Sequence, residues 1–86
     1  MWTIKLNPSA SKALKLLNKQ SKQRLESFID ELAGTDNPRN KGKSLKGNLK
    51  GLWRYRVGDY RLICQIKDKE LIILIVEIDH RKDIYK

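Results

Sequence analysis

Trp2, Ile4 and Leu6 alternate with Thr3 and Lys5, the period of a short strand with one side turned inward. Asn7-Pro8 follows, predicting a helix N-cap with proline at the first helical position. Ala10, Ala13, Leu14 and Leu17 then recur at helical spacing, with Lys12, Lys15 and Lys19 on the other faces. After a break near Asn18 to Ser21 the same period returns in Leu25, Phe28, Ile29 and Leu32, and Gly34 is a stop signal. Two amphipathic helices in succession predict an αα-hairpin able to cover one face of a sheet, their apolar stripes serving as core.

From Thr35 to Gly51 the pattern dissolves into Gly, Asn, Pro and Lys, leaving a loop of unusual length for a small domain. Such a loop is either functional or a solubilising excursion. Trp53, Tyr55 and Val57 then alternate with Arg54 and Arg56, and Tyr60, Leu62, Cys64 and Ile66 alternate with Arg61, Ile63 and Gln65. Leu71 to Ile78 is nearly all apolar, as in a strand covered on both faces. Gly58-Asp59 and Asp68-Lys69 suit two-residue hairpin loops. The expected fold is α+β, a single domain over residues 1–86. An N-terminal strand and an α-helical hairpin precede a three-stranded antiparallel meander, forming one small sheet with helices packed on one face. The position of the N-terminal strand within the sheet stays open.

Two-residue loops imply a register. Arg56 would lie opposite Arg61, Arg54 opposite Ile63, and Arg61 opposite Val76. Alternation would then put Ile78 and His80 on the same side as the three arginines, with Trp53, Tyr55, Val57, Tyr60, Leu62, Cys64, Ile73 and Ile75 on the helix side. Like charges directly opposite are unfavourable, so Arg56 against Arg61 points to a site and not merely a solvated face.

Charge sharpens this picture. The chain of 86 residues carries a formal charge of +9, from 19 Lys and Arg against 10 Asp and Glu. No acid lies between Asp36 and Asp59, while Arg39, Lys41, Lys43, Lys46, Lys50, Arg54 and Arg56 all do. A folded domain that gathers cations in this way is suited to a polyanion, nucleic acid above all. The single Cys64 excludes an internal disulfide and a cysteine metal cluster, and its apolar setting predicts core packing. The N-terminus lacks the apolar stretch of a signal peptide, and the longest apolar run is too short to span a bilayer. A cytoplasmic protein that does not engage membrane is the expectation.

Two segments together carry a resemblance. L-x-G-x-x-x-G-x-W-R-x-R-x-G-x-Y-R, from Leu45 to Arg61, and H-R-x-x-x-Y, from His80 to Tyr85, resemble the RelE family of toxin–antitoxin systems across nearly the whole chain. The resemblance implies a RelE-like fold and a toxin that cleaves mRNA, usually in the ribosomal A site, and is silenced by a cognate antitoxin. Arg54 and Arg56 match the family's basic pair on the first strand after the loop, Arg61 the arginine of the next strand, and Arg81 and Tyr85 the basic and aromatic tail positions. Family members vary where His80 stands and in the spacing from the tail arginine to the aromatic residue.

Metal-free RNA cleavage by the ribose 2′-OH needs a proton acceptor, cations around the phosphorane and a proton donor to the leaving 5′-oxygen. Arg56, Arg61 and Arg81 are the expected charge stabilisers, guanidinium matching phosphate geometry. His80 or Tyr85 would act as base or acid, with stacking on a base as an alternative role for Tyr85. Lys43, Lys46, Lys50 and Arg54 would position the RNA backbone. No metal and no other cofactor is expected. The competing readings are a ParE-like toxin, which inhibits DNA gyrase and cleaves nothing, and a non-catalytic RNA-binding module.

Overall fold

The computed structural model describes residues 1–80. Strand β1 (Thr3–Leu6) leads into helices α1 (Pro8–Lys15) and α2 (Lys19–Ala33). A two-residue strand β2 (Lys43–Ser44) follows, then β3 (Trp53–Val57), β4 (Tyr60–Lys67) and β5 (Ile72–His80). Single 3-10 turns at Pro38–Lys41, Gly47–Leu49 and Asp68–Glu70 join them. Among the described residues no helix is long and apolar enough to cross a membrane.

Both helices begin at asparagines. Asn7 Oδ1 accepts from the Ala10 amide at 2.8 Å with Pro8 next in line, and Asn18 Oδ1 accepts from the Ser21 amide at the same distance. Each cap satisfies an amide that the helix itself leaves unpaired. The break between the helices is therefore shorter than its composition suggests, and Ser21 already belongs to α2.

The sheet order is β1-β5-β4-β3-β2. β1 lies parallel to β5; the helices carry the chain from β1 to the far edge at β2 and β3, the strands then return to β5, and the remaining neighbours are antiparallel. The Thr3 amide donates to Leu71 O at 2.8 Å and the Asn7 amide to Ile75 O at 3.0 Å, securing β1 at both ends. The helices cover one face. Ala10, Leu25 and Leu32 pack with Tyr55, Leu62, Cys64, Ile73 and Ile75, all fully buried. Phe28 tilts against Tyr55 with ring centroids 5.4 Å apart.

The β3–β4 register is the expected one, with Arg56 opposite Arg61 and Arg54 opposite Ile63. The β4–β5 register is not. The chain turns through four residues, Asp68 to Leu71, in place of two, so that Lys67 pairs with Ile72. Two extra residues are an even number and leave the faces unchanged, which is why Ile73 and Ile75 still reach the core. Higher up, Cys64 pairs with Ile75 but Ile63 with Glu77, so Val76 is left over as a β-bulge. That odd insertion exchanges the faces of everything after it. Arg61 consequently stands opposite Asp79 and not Val76, and Ile78 and His80 belong to the helix face, opposite to expectation. Ile78 is in the core, 8% exposed, and the His80 ring sits edge-on to Tyr60 at 4.9 Å.

Candidate functional site

The face without helices carries charged rows in sheet register. Arg56, Arg61 and Asp79 form one row across β3, β4 and β5, and Arg54, Ile63 and Glu77 form the next. Lys43 of β2 pairs opposite Arg54 and adds a fourth cation at the sheet edge. Arg61 is largely enclosed, its side chain 22% exposed and its Nε buried without a partner. Its Nη2 lies 3.7 Å from Asp79 Oδ2. Asp79 thus offsets part of the repulsion between Arg56 and Arg61 that the β3–β4 pairing alone leaves uncompensated.

A cavity of about 280 Å³ opens between the sheet edge and the preceding loop, lined by Asn40, Lys41, Gly42, Lys43, Arg54 and Arg56. Gly42 is required at this point because a Cβ would collide with the Arg54 carbonyl oxygen and the Trp53 indole. The first part of the long loop is accordingly built onto the sheet. Buried Tyr55 donates its hydroxyl to Pro38 O at 2.8 Å, and burial drives its pKa upward, keeping the hydroxyl a donor. Arg39 forks onto Asp68 at 2.7 and 2.9 Å and lies 5.9 Å from the Trp53 ring centroid. The Arg39 guanidinium holds the Asp68 carboxyl below its ordinary range.

Three cations of the expected binding run or its neighbourhood therefore have carboxylate partners: Arg39 with Asp68, Lys41 with Glu31 at 4.0 Å, and Arg61 with Asp79. Among the described residues Lys43, Lys46, Lys50, Arg54 and Arg56 have none within 4.0 Å. Arg54, Arg56 and Lys43 share the cavity, while Lys46 and Lys50 flank the exposed Gly47–Leu49 turn away from it. Arg61 lies one strand further in, beside Arg56. His80 faces the helices, apart from the arginines, and so does not join them as expected. Arg81 and Tyr85 lie outside the described residues.

Sequence reasoning passed over Asn40 and counted Lys41 in the cationic run without giving it a role; the place of both in the cavity depends on contacts with residues far along the chain. It also passed over Glu77 and Asp79. Their alternation in Val76-Glu77-Ile78-Asp79 was a readable signal of a charged strand face. Partial desolvation first, then the neighbouring Asp79 carboxylate, raises the pKa of the exposed Glu77 against the pull of Arg61. Among the described residues no three His, Cys, Asp or Glu side chains gather so as to hold a metal ion.

Residues 4–85 match the family model described as the ParE toxin of type II toxin–antitoxin systems. Toxin RelG of Mycobacterium tuberculosis is 41% identical over 49 residues, a segment spanning 57% of this chain and 56% of that relative's length. The structure is similar to that of the RelBE2 toxin–antitoxin complex from Mycobacterium tuberculosis, at 30% identity and a TM-score of 0.72, covering 93% of this chain and 98% of the other. It is also similar to the archaeal RelE–RelB complex from Pyrococcus horikoshii OT3, at 32% identity and a TM-score of 0.74, covering 93% and 94%.

Proposed function

The chain belongs to the RelE/ParE superfamily of type II toxin–antitoxin toxins, and from that premise we propose that it is a metal-independent mRNA endoribonuclease, ribosome-dependent and neutralised by a cognate antitoxin. The observation that carries this reading is the convergence of Arg54, Arg56 and Arg61 on the sheet face that the helices leave open. A phosphodiester laid across that face meets guanidinium groups from two adjacent strands. Arg61, largely enclosed, acts more strongly than exposed Arg56, because a half-buried cation works through a medium of lower dielectric than water.

In this reading the ribose 2′-OH attacks the adjacent phosphate, leaving a 2′,3′-cyclic phosphate and a free 5′-OH. Arg56 and Arg61, joined by Arg81 through the family resemblance, stabilise the phosphorane. Lys43, Arg54 and the cavity they line hold the flanking backbone, Lys46 and Lys50 extend that contact along the loop, and Tyr85 serves proton transfer or stacks on a base. Both complexes named above pair a toxin with an antitoxin, which supports an antitoxin partner here. A helical or acidic segment laid over the open face would neutralise its charge and occlude it.

The test is reconstituted translation with primer extension across the message. Discrete codon-phased cuts are expected from the unsubstituted chain and, for a metal-free reaction, in EDTA-treated fractions where magnesium is restored only as the ribosome requires. Arg61→Ala should lower cleavage by about 10²–10³-fold while the far-ultraviolet CD spectrum stays the same. Full activity in the Arg61→Ala protein would sink the phosphate-stabilising assignment.

The ParE description of the matching family favours one second reading, a toxin that inhibits DNA gyrase and cleaves no RNA. His80, on the helix face, supplies no proton-transfer group among the arginines that would speak against it. Intact message together with gyrase-dependent DNA breaks would decide for it.

A further inference from the structure

The open face holds two carboxylates that phosphate binding leaves without a role. Glu77 stands opposite Ile63 and Asp79 opposite Arg61, so both project from β5 to the arginine side. Acids repel the phosphate that this face is read as meeting, and two in succession on one strand face repel each other as well. A chain with only 10 acidic residues against 19 cations has nonetheless put two of them beside Arg61.

The two carboxylates differ in their engagement. Asp79 is tied to the Arg61 guanidinium at 3.7 Å. Glu77 has no cationic partner within 4.0 Å among the described residues. The charged groups facing Glu77 are Asp79 on its own strand, Arg61 on β4, Arg54 in its own row and Arg56 in the next on β3. Lys5 of β1 pairs with Leu74 further down the same face. The helices pack behind the sheet. Partial desolvation and then Asp79 raise the Glu77 pKa although the residue is exposed, and no ion pair among the described residues engages it. His80, one of the two residues expected to move that proton, lies on the other side of the sheet.

We propose that Glu77 is the general base of the cleavage reaction, accepting the 2′-OH proton while Arg61, held in place by Asp79, receives the phosphate. The proposal rests on the nuclease reading above. Glu77 lies diagonal to Arg61 across β4 and β5, where such neighbours stand about 7–8 Å apart, a spacing that sets Glu77 towards the ribose adjoining a phosphate at Arg61. In the step, a Glu77 carboxylate oxygen takes the 2′-OH proton as the O2′–P bond forms and the P–O5′ bond breaks. Water protonates the leaving 5′-oxygen, and the resulting hydroxide removes the proton from Glu77, restoring the carboxylate and a water molecule.

The experiment is single-turnover cleavage of ribosome-bound message by the unsubstituted chain, Glu77→Gln, Glu77→Ala and Glu26→Gln, the last an exposed carboxylate on α2. Glu77→Gln should lower the rate by about 10²–10⁴-fold with the half-saturating toxin concentration unchanged or lower, because a repelling charge is gone. It should also abolish the acidic limb of the pH–rate profile. Added formate should restore part of the Glu77→Ala rate, and Glu26→Gln should cleave like the unsubstituted chain. A Glu77→Gln protein that keeps the rate and the acidic limb overturns the proposal and leaves the nuclease reading standing. If Glu77→Gln does not fold, absence of formate rescue in Glu77→Ala overturns it equally. Intact message with the unsubstituted chain overturns both.

Discussion

The two faces of the sheet are built from the same strands and held by different physics. On the helix face Tyr55, Leu62, Cys64, Ile73, Ile75 and Ile78 are secured by burial, which is non-directional and tolerates any partner of suitable shape. On the open face Arg54, Arg56, Arg61, Glu77 and Asp79 are secured by register alone, since each charge depends on what stands across from it. The difference teaches that this fold can position a charged site without spending core on it. It also makes the site sensitive to a single backbone irregularity. Val76 decides which residues of β5 belong to which face.

The most forceful way to break this contrast is at Ile78 and Glu77, neighbours on opposite faces. Ile78→Ala should destabilise the protein by about 2–5 kcal/mol, whereas Glu77→Gln should change stability by no more than about 0.5 kcal/mol. Urea unfolding of the two variants measures the difference. Equal effects would mean that the bulge does not invert the strand there.

That same bulge marks the limit of what the chain's pattern discloses. The β3–β4 pairing was legible because Gly58, at φ 60, lets the hairpin close over two residues. Asp68-Lys69 looks equally suitable, yet the chain runs on through a 3-10 turn to Leu71, which adopts φ 55, a conformation that leucine rarely takes and no local signal foretells. Val76 sits in an unbroken run of aliphatic residues, with no glycine to announce a bulge. The arginine positions were readable because they lie before the irregularity, and His80 was misread because it lies after. The anchoring of the basic loop was hidden for another reason. Tyr55 to Pro38 and Arg39 to Asp68 join residues far apart in the chain, beyond the reach of any periodicity.

Tyr55 sharpens the comparison because it serves both faces. Its ring is core, while its hydroxyl holds the loop that delivers Lys41 and Lys43 to the open side. Tyr55→Phe keeps the ring and leaves the Pro38 carbonyl unpaired, at a cost of about 1–3 kcal/mol. Amide exchange should quicken in residues 38–44 and stay slow in β4. Uniform acceleration would mean that the hydroxyl stabilises the whole sheet and has no particular hold on the loop.

The smallest expected effect is a reaction that does not occur. Cys64 is fully buried on the helix face, directly after the point where the pairing shifts, and burial pushes its thiol up to about 12. Among the arginines the same thiol would be drawn down by their charge and would react readily. Cys64 therefore reports which face it occupies. A disulfide reagent at neutral pH should leave the native protein unlabelled and titrate one thiol in denaturant. In the Ile78→Ala protein labelling should quicken only in proportion to the lost stability, since the reagent reaches Cys64 through opening of the core. Rapid labelling of the unsubstituted native chain would put Cys64 on the open face and reverse the assignment of both.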